Sequence, residues 1–186
     1  MINTIRGRTE KPVAAEQIAR LLAADENLSG ILYLGYPIIG TPEGAFPIDA
    51  LLVSPEKGLV IINLVEGASL DGYGELQDDV YNKMRAKLLQ HPTLIRRRNL
   101  QVEIHTVTFA PAIQDVAKKE EEGYPLCNAE NLKLTLTELN ESNQDFYKTL
   151  ASVIQSISTL RRGKKRREIT RDDSRGAIAK KLEDSI

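Results

Sequence analysis

Two apolar runs joined by a short turn constrain the fold of this chain more than any other feature. Residues 46–67, FPIDALLVSPEKGLVIINLVEG, contain two strand-like runs around the connection Ser54–Gly58. The serine, proline and glycine of this connection are typical of a hairpin turn. Leu59–Ile62 is continuously apolar, as expected of a buried strand, and Asn63 then ends the run. The segment therefore predicts a hairpin with a polar end.

Helices and further strands are predicted around this hairpin. Apolar spacing and Pro12 in a first turn predict a helix before it, and a short apolar strand follows that helix. The order helix, three strands, helix, strand and helix predicts a mixed sheet with helices packed on it. The remaining segments are helix 10–25, strand 29–38, helix 74–91, strand 100–111, a possible short strand 132–139 and helix 140–160.

Two of these segments carry polar residues where packing is expected. In helix 74–91, Gln77 falls inside the apolar stripe, so its amide needs a buried partner. In strand 100–111 the apolar alternation changes phase at Thr106. We therefore expect that strand to be covered on both faces or to contain a bulge. The predicted stripe of helix 74–91 consists of Leu76, Val80, Tyr81, Met84 and Leu88.

A symmetric hairpin would bring two polar residues together at one end of the sheet. If Leu51 lies opposite Ile61, then Asp49 lies opposite Asn63 and on the same face. Glu66 would project from the other face unless a bulge turns it. An acid facing a polar residue on neighbouring strands is the arrangement of a metal-dependent nuclease, whose acids hold Mg²⁺ beside the attacking water.

The hairpin motif resembles the Asp … Glu-x-Lys core of restriction-endonuclease-like nucleases, with Asp49 in the place of the first acid. More narrowly, residues 12–110 resemble the nuclease-related domain known as NERD. In this resemblance the family's first-helix glutamate falls on Glu16 and its hydrophobic-Asp pair on Ile48 and Asp49. Its following-helix glutamine falls on Gln77. The resemblance implies a restriction-endonuclease-like α/β fold and a site built from Asp49, position 63, Gln77 and Glu16.

The chain departs from this family at the catalytic hairpin. Where Glu-x-Lys is expected, it has Asn63, Leu64 and Val65. An amide is a weaker Mg²⁺ ligand than a carboxylate, and valine cannot orient a water. Loss of a proton-handling group slows a reaction by about 10²–10⁴-fold. We therefore expect a relict site.

The alternative to a relict site is an active Mg²⁺-dependent nuclease. It would use Asp49 with Glu66 as the metal ligands. Its lysine would be supplied by Lys83 or Lys87 of the following helix. A purely structural docking domain is a third possibility, because a fold alone does not decide function.

A second resemblance spans nearly the whole chain. The segments LYLGYPIIGTPEGAFPIDALLVSPEKGLVI and DDSRGAIAKKLEDSI are similar to the region that precedes the ATPase core in bacterial superfamily 1 DNA helicases. The resemblance implies DNA and a helicase motor domain as partners, with the motor further along the same chain. The sequence contains no GxxxxGK[S/T] phosphate loop. We therefore expect this chain to be the N-terminal part of a longer protein.

Charge divides the chain unevenly. From Arg161 onward there are ten basic and five acidic residues, a net charge of +5, so residues 1–160 carry −6. This asymmetry favours an anionic partner for the tail, and the run without aromatic residues indicates phosphate contact rather than base stacking. We expect an α/β domain over 1–160 and a basic linker and helix over 161–186. The candidate nucleic-acid-binding residues are Arg161, Arg162, Lys164, Lys165, Arg166 and Arg167.

Composition limits the compartment and the chemistry. A single cysteine, Cys127, excludes a disulfide framework, and two histidines make a zinc site improbable. The start MINTIRGRTEK has no apolar signal region, and no apolar run approaches the ~20 residues that span a bilayer. These features predict a cytoplasmic protein without a membrane partner. Mg²⁺ is the only cofactor expected, and only if the nuclease site is active.

Overall fold

The structure is a computed structural model that describes residues 1–35, 37–41 and 44–165. Its main body is a six-stranded mixed sheet with helices on both faces, which confirms the predicted mixed α/β class. Across the described residues, we find no helix with the length and apolar character needed to span a bilayer. Arg166, Arg167 and the rest of the tail lie outside the described residues.

Several short strands add to the elements that the sequence predicts around the hairpin. The strands are β1 (Ile2–Arg6), β2 (Gly30–Leu34), β3 (Pro37–Thr41), β4 (Gly44–Pro47), β5 (Ala50–Ser54), β6 (Gly58–Leu64), β7 (Ile95–Arg96), β8 (Asn99–Leu100), β9 (Ile104–Phe109) and β10 (Leu126–Cys127). The helices are α1 (Pro12–Ala23), α2 (Tyr73–Leu88), α3 (Val116–Lys119), α4 (Leu132–Thr137) and α5 (Tyr147–Lys165). Two short 3-10 helices cover Pro92–Leu94 and Gln144–Phe146. The order of α1, the hairpin, α2, β9 and α5 is as predicted, but the short strands β1, β3, β4, β7, β8 and β10 add to the predicted elements.

The strands of the main sheet lie in the order β1-β2-β5-β6-β9-β10. Strands β2, β5 and β6 form an antiparallel meander, whereas β9 is parallel to β6 and β10 is parallel to β9. Helix α2 makes the crossover from β6 toward β9, as a parallel connection requires. Strands β3 and β4 form a separate hairpin, and so do β7 and β8.

The β5–β6 hairpin has the predicted register. Leu51 pairs with Ile61 and Val53 with Leu59, and every residue of both strands is buried. Full burial of one Leu, Ile or Val side chain contributes roughly 1.5–3 kcal/mol, so this hairpin is the centre of the core.

The turn of the hairpin is fixed by local polar contacts. The Ser54 hydroxyl accepts hydrogen bonds from the backbone N–H groups of Glu56 (3.1 Å) and Lys57 (3.2 Å). Gly58 has φ +77°, and a Cβ there would lie 2.7 Å from the carbonyl oxygen of Glu103. Only glycine suits this position, which explains where the turn ends.

Two helical layers bury the two faces of the sheet. Helices α1 and α4 cover one face, where Ile18 and Leu22 pack with Leu52 and Ile62. Helices α2 and α5 cover the opposite face, and Met84 of α2 packs there with the odd-numbered residues of the hairpin. The alternation of faces along β5 and β6 therefore assigns each residue to one helical layer.

The possible strand over 132–139 is wrong, because this segment forms helix α4. Leu132 and Leu136 are buried four residues apart, and Leu134 between them is exposed. The hydroxyl groups of Thr135 and Thr137 donate to the carbonyl oxygens four residues earlier, which lets both threonines stay in a helix.

Two further expectations need adjustment. Leu76 and Tyr81 are exposed, so the buried stripe of α2 runs instead through Tyr73, Gln77, Val80, Met84 and Leu88. The apolar strand predicted over 29–38 ends at Leu34, because Gly35 adopts φ +77° and turns the chain toward β3.

The change of phase in β9 has the first of its two predicted causes. The β6–β9 pairing is regular from Ile104 to Phe109, with no shift of register. Val107 packs under α1 and α4, while Thr106 and Thr108 face α2. Both faces are therefore covered. Strand β1, which pairs with β2, was not anticipated from the sequence.

The β7–β8 turn contains the one pair of non-glycine residues with positive φ in the described chain. Arg97 (φ 55°) and Arg98 (φ 69°) form the two-residue loop between Arg96 and Asn99. A loop with both φ values positive has the form of a type I′ turn, which favours Asn-Gly. Each non-glycine residue held at a positive φ destabilises the fold by about 1–3 kcal/mol.

Relief of this strain should stabilise the fold. Changing Arg97→Asn together with Arg98→Gly supplies the residues that a type I′ turn prefers, and no packed side chain is lost because both arginines are exposed. We expect the free energy of unfolding in urea to rise by about 1–2 kcal/mol. An unchanged or lower midpoint of urea unfolding would contradict the expectation that the turn is strained.

Candidate functional site

Asp49 lies at the polar end of the hairpin, one residue before β5. Its Oδ2 accepts a hydrogen bond from the backbone N–H of Leu64 (2.9 Å), which places the carboxylate at the end of β6 beside Asn63. The same oxygen binds Nζ of Lys11 at 2.8 Å. Lys11 is the residue that precedes the first turn of α1. The Asp49 carboxylate is therefore bound by a cation and a backbone donor of its own chain.

Glu66 is also held by the start of α1. Its Oε2 accepts a hydrogen bond from the backbone N–H of Ala14 at 2.8 Å. Free N–H groups in the first turn of a helix and the positive end of the helix dipole both stabilise a carboxylate. Since Lys11 makes no side-chain cap, Glu66 provides it from two residues beyond β6. The two candidate metal ligands thus both bind groups near the start of α1, Asp49 the Lys11 ammonium and Glu66 the Ala14 N–H.

The pairing of β5 with β6 ends at Ala50 and Ile62, so the predicted pair of Asp49 with Asn63 is not part of the strand register. Asn63 is buried beneath α2. Its side chain is 4% exposed and its Nδ2 atom has no hydrogen-bond partner within the described chain. In the sheet it lies beside Thr108 of β9. A buried amide hydrogen without an acceptor is destabilising by about 1–3 kcal/mol, so packing gives no reason for an asparagine here.

Gln77 has the buried partner that the sequence predicted. Its Nε2 donates to the Thr108 hydroxyl (2.8 Å) and to the Pro125 carbonyl oxygen (2.9 Å), and its Oε1 accepts from the Thr106 hydroxyl (3.0 Å). These bonds tie α2 to β9 and to the residue before β10. Every polar atom of the Gln77 side chain is used in this network, so its role in the structure is to hold the helix on the sheet.

Val65 follows β6 and packs in an apolar cluster. Its neighbours there include Tyr73, Leu126 and Ala110, and its backbone N–H donates to Phe109 at 3.0 Å. The position that holds a lysine in the resembled nucleases is therefore an apolar packing position in this chain.

The remaining candidates of the site lie elsewhere. Glu16 on α1 is exposed and pairs with Arg6 of β1. Lys83 pairs with Asp79 at 3.1 Å and lies 3.9 Å from the centre of the Phe46 ring. Neither side chain contacts Asp49 through any bond among the described residues.

The donor set does not fit a Mg²⁺ site. Within residues 1–35, 37–41 and 44–165, no group of three or more His, Cys, Asp or Glu side chains is placed to hold a metal ion. The Oδ2 atom of Asp49 already binds the Lys11 ammonium and the Leu64 N–H. A thiol nucleophile is also excluded, because burial raises the pKa of Cys127 to about 12 and keeps it protonated.

Four of the six tail candidates lie in the part of the chain that the structure describes. Arg161, Arg162, Lys164 and Lys165 lie on the last turns of α5, which continues to Lys165. Arg166 and Arg167 fall outside the described residues.

Lys11 is the site residue that the sequence did not reveal. Its partner Asp49 is 38 residues away, and no short motif links them. The only signal is its place directly before Pro12, where a lysine is unfavourable beside the positive end of a helix dipole. Thr106 and Thr108 did give a signal, since they interrupt the apolar alternation of β9.

Asn63 and Gln77 should respond in opposite ways to an apolar substitution of similar size. Asn63→Leu removes an unpartnered amide, so we expect the free energy of unfolding to stay the same or rise by about 1 kcal/mol. Gln77→Leu leaves the hydroxyl groups of Thr106 and Thr108 without their partner, while the Pro125 carbonyl keeps its bond from the Thr108 N–H. We therefore expect a loss of about 2–3 kcal/mol. Urea unfolding of both variants measures the difference, and a loss at Asn63 equal to that at Gln77 would contradict it.

Comparison of the chain with family models, with curated proteins and with solved structures finds no match in any of the three. The nuclease-related resemblance therefore depends on the residues of the hairpin and its flanking helices.

Proposed function

We propose that this chain is a nuclease-related accessory module of a cytoplasmic DNA helicase, with a restriction-endonuclease-like fold and a degenerate hydrolytic centre. In this proposal it binds DNA and works beside a motor domain of the same longer protein. The observation that carries the proposal is the state of Asp49, whose carboxylate is bound by Lys11 and by the N–H of Leu64 at the end of the hairpin.

The topology supports the fold assignment. Helix α1, the meander β2-β5-β6, helix α2 and the parallel strand β9 follow one another in the chain. This order brings Asp49 and Asn63 to the same end of adjacent strands, with Gln77 above the next strand. These are the positions that the nuclease-related resemblance assigns to its site.

The charged groups around the hairpin support the proposed loss of cleavage. A nuclease of this class needs acids that hold a metal and a cation beside the water. Here Lys11 and the start of α1 already neutralise Asp49 and Glu66. Asn63 contributes no charge, and Val65 packs against apolar groups. The negative charges at the polar end of the hairpin are thus neutralised without a metal.

One observation favours the second candidate, an active Mg²⁺-dependent nuclease. Asp49 binds the ammonium of Lys11, directly before α1, and Glu66 binds the N–H of Ala14 in its first turn, so both carboxylates bind groups near the start of this helix. For this candidate a metal must displace Lys11 from Asp49. Cleavage assays separate the two functions.

We expect the isolated chain to show no Mg²⁺- or Mn²⁺-dependent cleavage of supercoiled, linear or single-stranded DNA. Asp49 is the only hairpin residue of the catalytic set that is present. Asp49→Asn is the matched control, because it keeps an oxygen acceptor for Leu64 while removing the charge. Cleavage by the wild type that Asp49→Asn abolishes would establish the active nuclease and end the degenerate interpretation.

Restoring the missing groups should restore metal binding. Asn63→Glu with Val65→Lys adds the absent carboxylate and cation, and Lys11→Ala frees Asp49. We expect calorimetry to detect Mn²⁺ binding by this triple variant and none by the wild type, because the variant has the charged ligands that a divalent ion requires. Lys11→Ala alone is the control, since it frees Asp49 without adding a ligand.

The tail should make DNA binding depend steeply on salt. Each phosphate contact contributes about −0.9 to the slope of log affinity against log salt. Replacing the six tail residues with serine should therefore flatten this slope in a fluorescence anisotropy titration. An unchanged slope would assign the run to a linker. The variant changes Arg161, Arg162, Lys164, Lys165, Arg166 and Arg167.

A further inference from the structure

A second basic region lies inside the acidic part of the chain. Residues 80–102 contain six lysines and arginines and no aspartate or glutamate, although residues 1–160 carry a net charge of −6. Lys83, Arg85 and Lys87 lie on the second half of α2, and Arg96–Arg98 lie at the β7–β8 turn. A local excess of this size concentrates positive charge in one stretch of the chain.

The turn is where this positive charge is most available. Arg97 and Arg98 are exposed, and no ion pair of the described chain includes either of them. Both hold positive φ, a conformation that the described chain otherwise gives only to glycine. The hairpin itself needs Asn-Gly rather than Arg-Arg, so its fold does not explain these two side chains.

The turn is held on both sides. The Gln101 Nε2 donates to the carbonyl oxygens of Asn99 (3.0 Å) and Arg96 (3.3 Å). The Arg96 guanidinium lies 5.1 Å from the centre of the Phe146 ring, directly before α5. A fixed turn presents its two guanidinium groups with less loss of conformational freedom than a mobile loop would.

We propose that the β7–β8 turn is a phosphate-binding element that contacts the DNA backbone through Arg97 and Arg98. The choice of DNA as the polyanion rests on the proposed function. A guanidinium binds two phosphate oxygens at once, which a lysine cannot do. Phe146 beside the turn has Arg96 over its ring and is therefore not free for base stacking. The contact is therefore to the backbone and independent of base sequence.

The turn and the tail act as separate contacts. Arg96 lies at the start of α5, and the basic residues of the tail begin near its far end, about 20 Å away along the helix. Contacts this far apart contribute independently to the free energy of binding. The turn should therefore be detectable with the tail intact.

The test is fluorescence anisotropy of a labelled DNA duplex of about 20 base pairs, titrated with the full chain at several salt concentrations. Arg97→Asn with Arg98→Gly should weaken binding by about tenfold at low salt and make the salt slope shallower by about 1.8. The same variant is expected to be more stable than the wild type. Weaker binding by a more stable protein cannot come from unfolding.

Two controls separate charge from position. Lys118→Ser with Lys119→Ser removes the same charge from two exposed lysines of α3, where Lys118 pairs with Asp115 at 3.4 Å, and we expect its affinity to stay near that of the wild type. Arg97→Lys with Arg98→Lys keeps the charge, and we expect it to retain most of the salt slope. The proposed phosphate contact at the turn is wrong if the Lys-Lys variant binds DNA as weakly as the Asn-Gly variant. It is also wrong if the α3 variant loses as much affinity for DNA as the Asn-Gly variant does.

The outcomes also separate this inference from the proposed function. Binding by the Asn-Gly variant equal to that of the wild type would overturn the turn contact and leave DNA binding through the tail. Failure of the wild type to bind the duplex would overturn both. Loss of affinity in both the turn and the tail variants, with additive effects, would support both contacts.

Discussion

Burial of the β5–β6 hairpin on both faces is the constraint on which the rest of the structure depends. Since no residue of either strand reaches solvent, one helical layer is not enough, and α1 with α4 and α2 with α5 must enclose it. Each buried aliphatic side chain contributes roughly 1.5–3 kcal/mol, whereas an unpaired buried polar group, such as the Asn63 Nδ2, destabilises this interior. The ends of the two strands are therefore where charged groups can be placed.

The contacts at the end of this hairpin explain how two carboxylates are held beside a buried sheet by groups of the chain itself. Two carboxylates at the mouth of a buried sheet need positive charge nearby, and in a working site a metal provides it. Here the ammonium group of Lys11 lies on Asp49, and the first turn of α1 binds Glu66. The acids then stabilise the packing of α1 on the sheet. These contacts give both acids a role in the fold.

The sequence predicted the parts of the fold that depend on neighbouring residues. The symmetric turn and the period of two were enough to predict the pairing of Leu51 with Ile61, and the apolar stripes located α1, α2 and α5. Alternation misled at α4, because the spacing of Leu132 and Leu136 fits both a strand and a helix. The pairing of β1 with β2 was not predicted, because α1 separates the two strands along the chain.

The candidate site shows the same division between local and distant information. Asp49 and Gln77 were found from their positions on predicted elements, whereas the bond between Lys11 and Asp49 depends on how α1 docks. The strained turn is a third case. Its basic residues are plain in the sequence, but the left-handed backbone of Arg97 and Arg98 emerges only in the structure.

The β7–β8 turn has charged residues where glycine would give a more stable backbone. Glycine occupies each of the other positive-φ positions of the described residues, where the fold demands that conformation. Arginine at two such positions breaks a local rule that the chain otherwise follows, and departures of this kind concentrate at functional surfaces. Since burial does not select Arg97 or Arg98, and no ion pair of the described chain uses them, the property left for selection is their exposed charge.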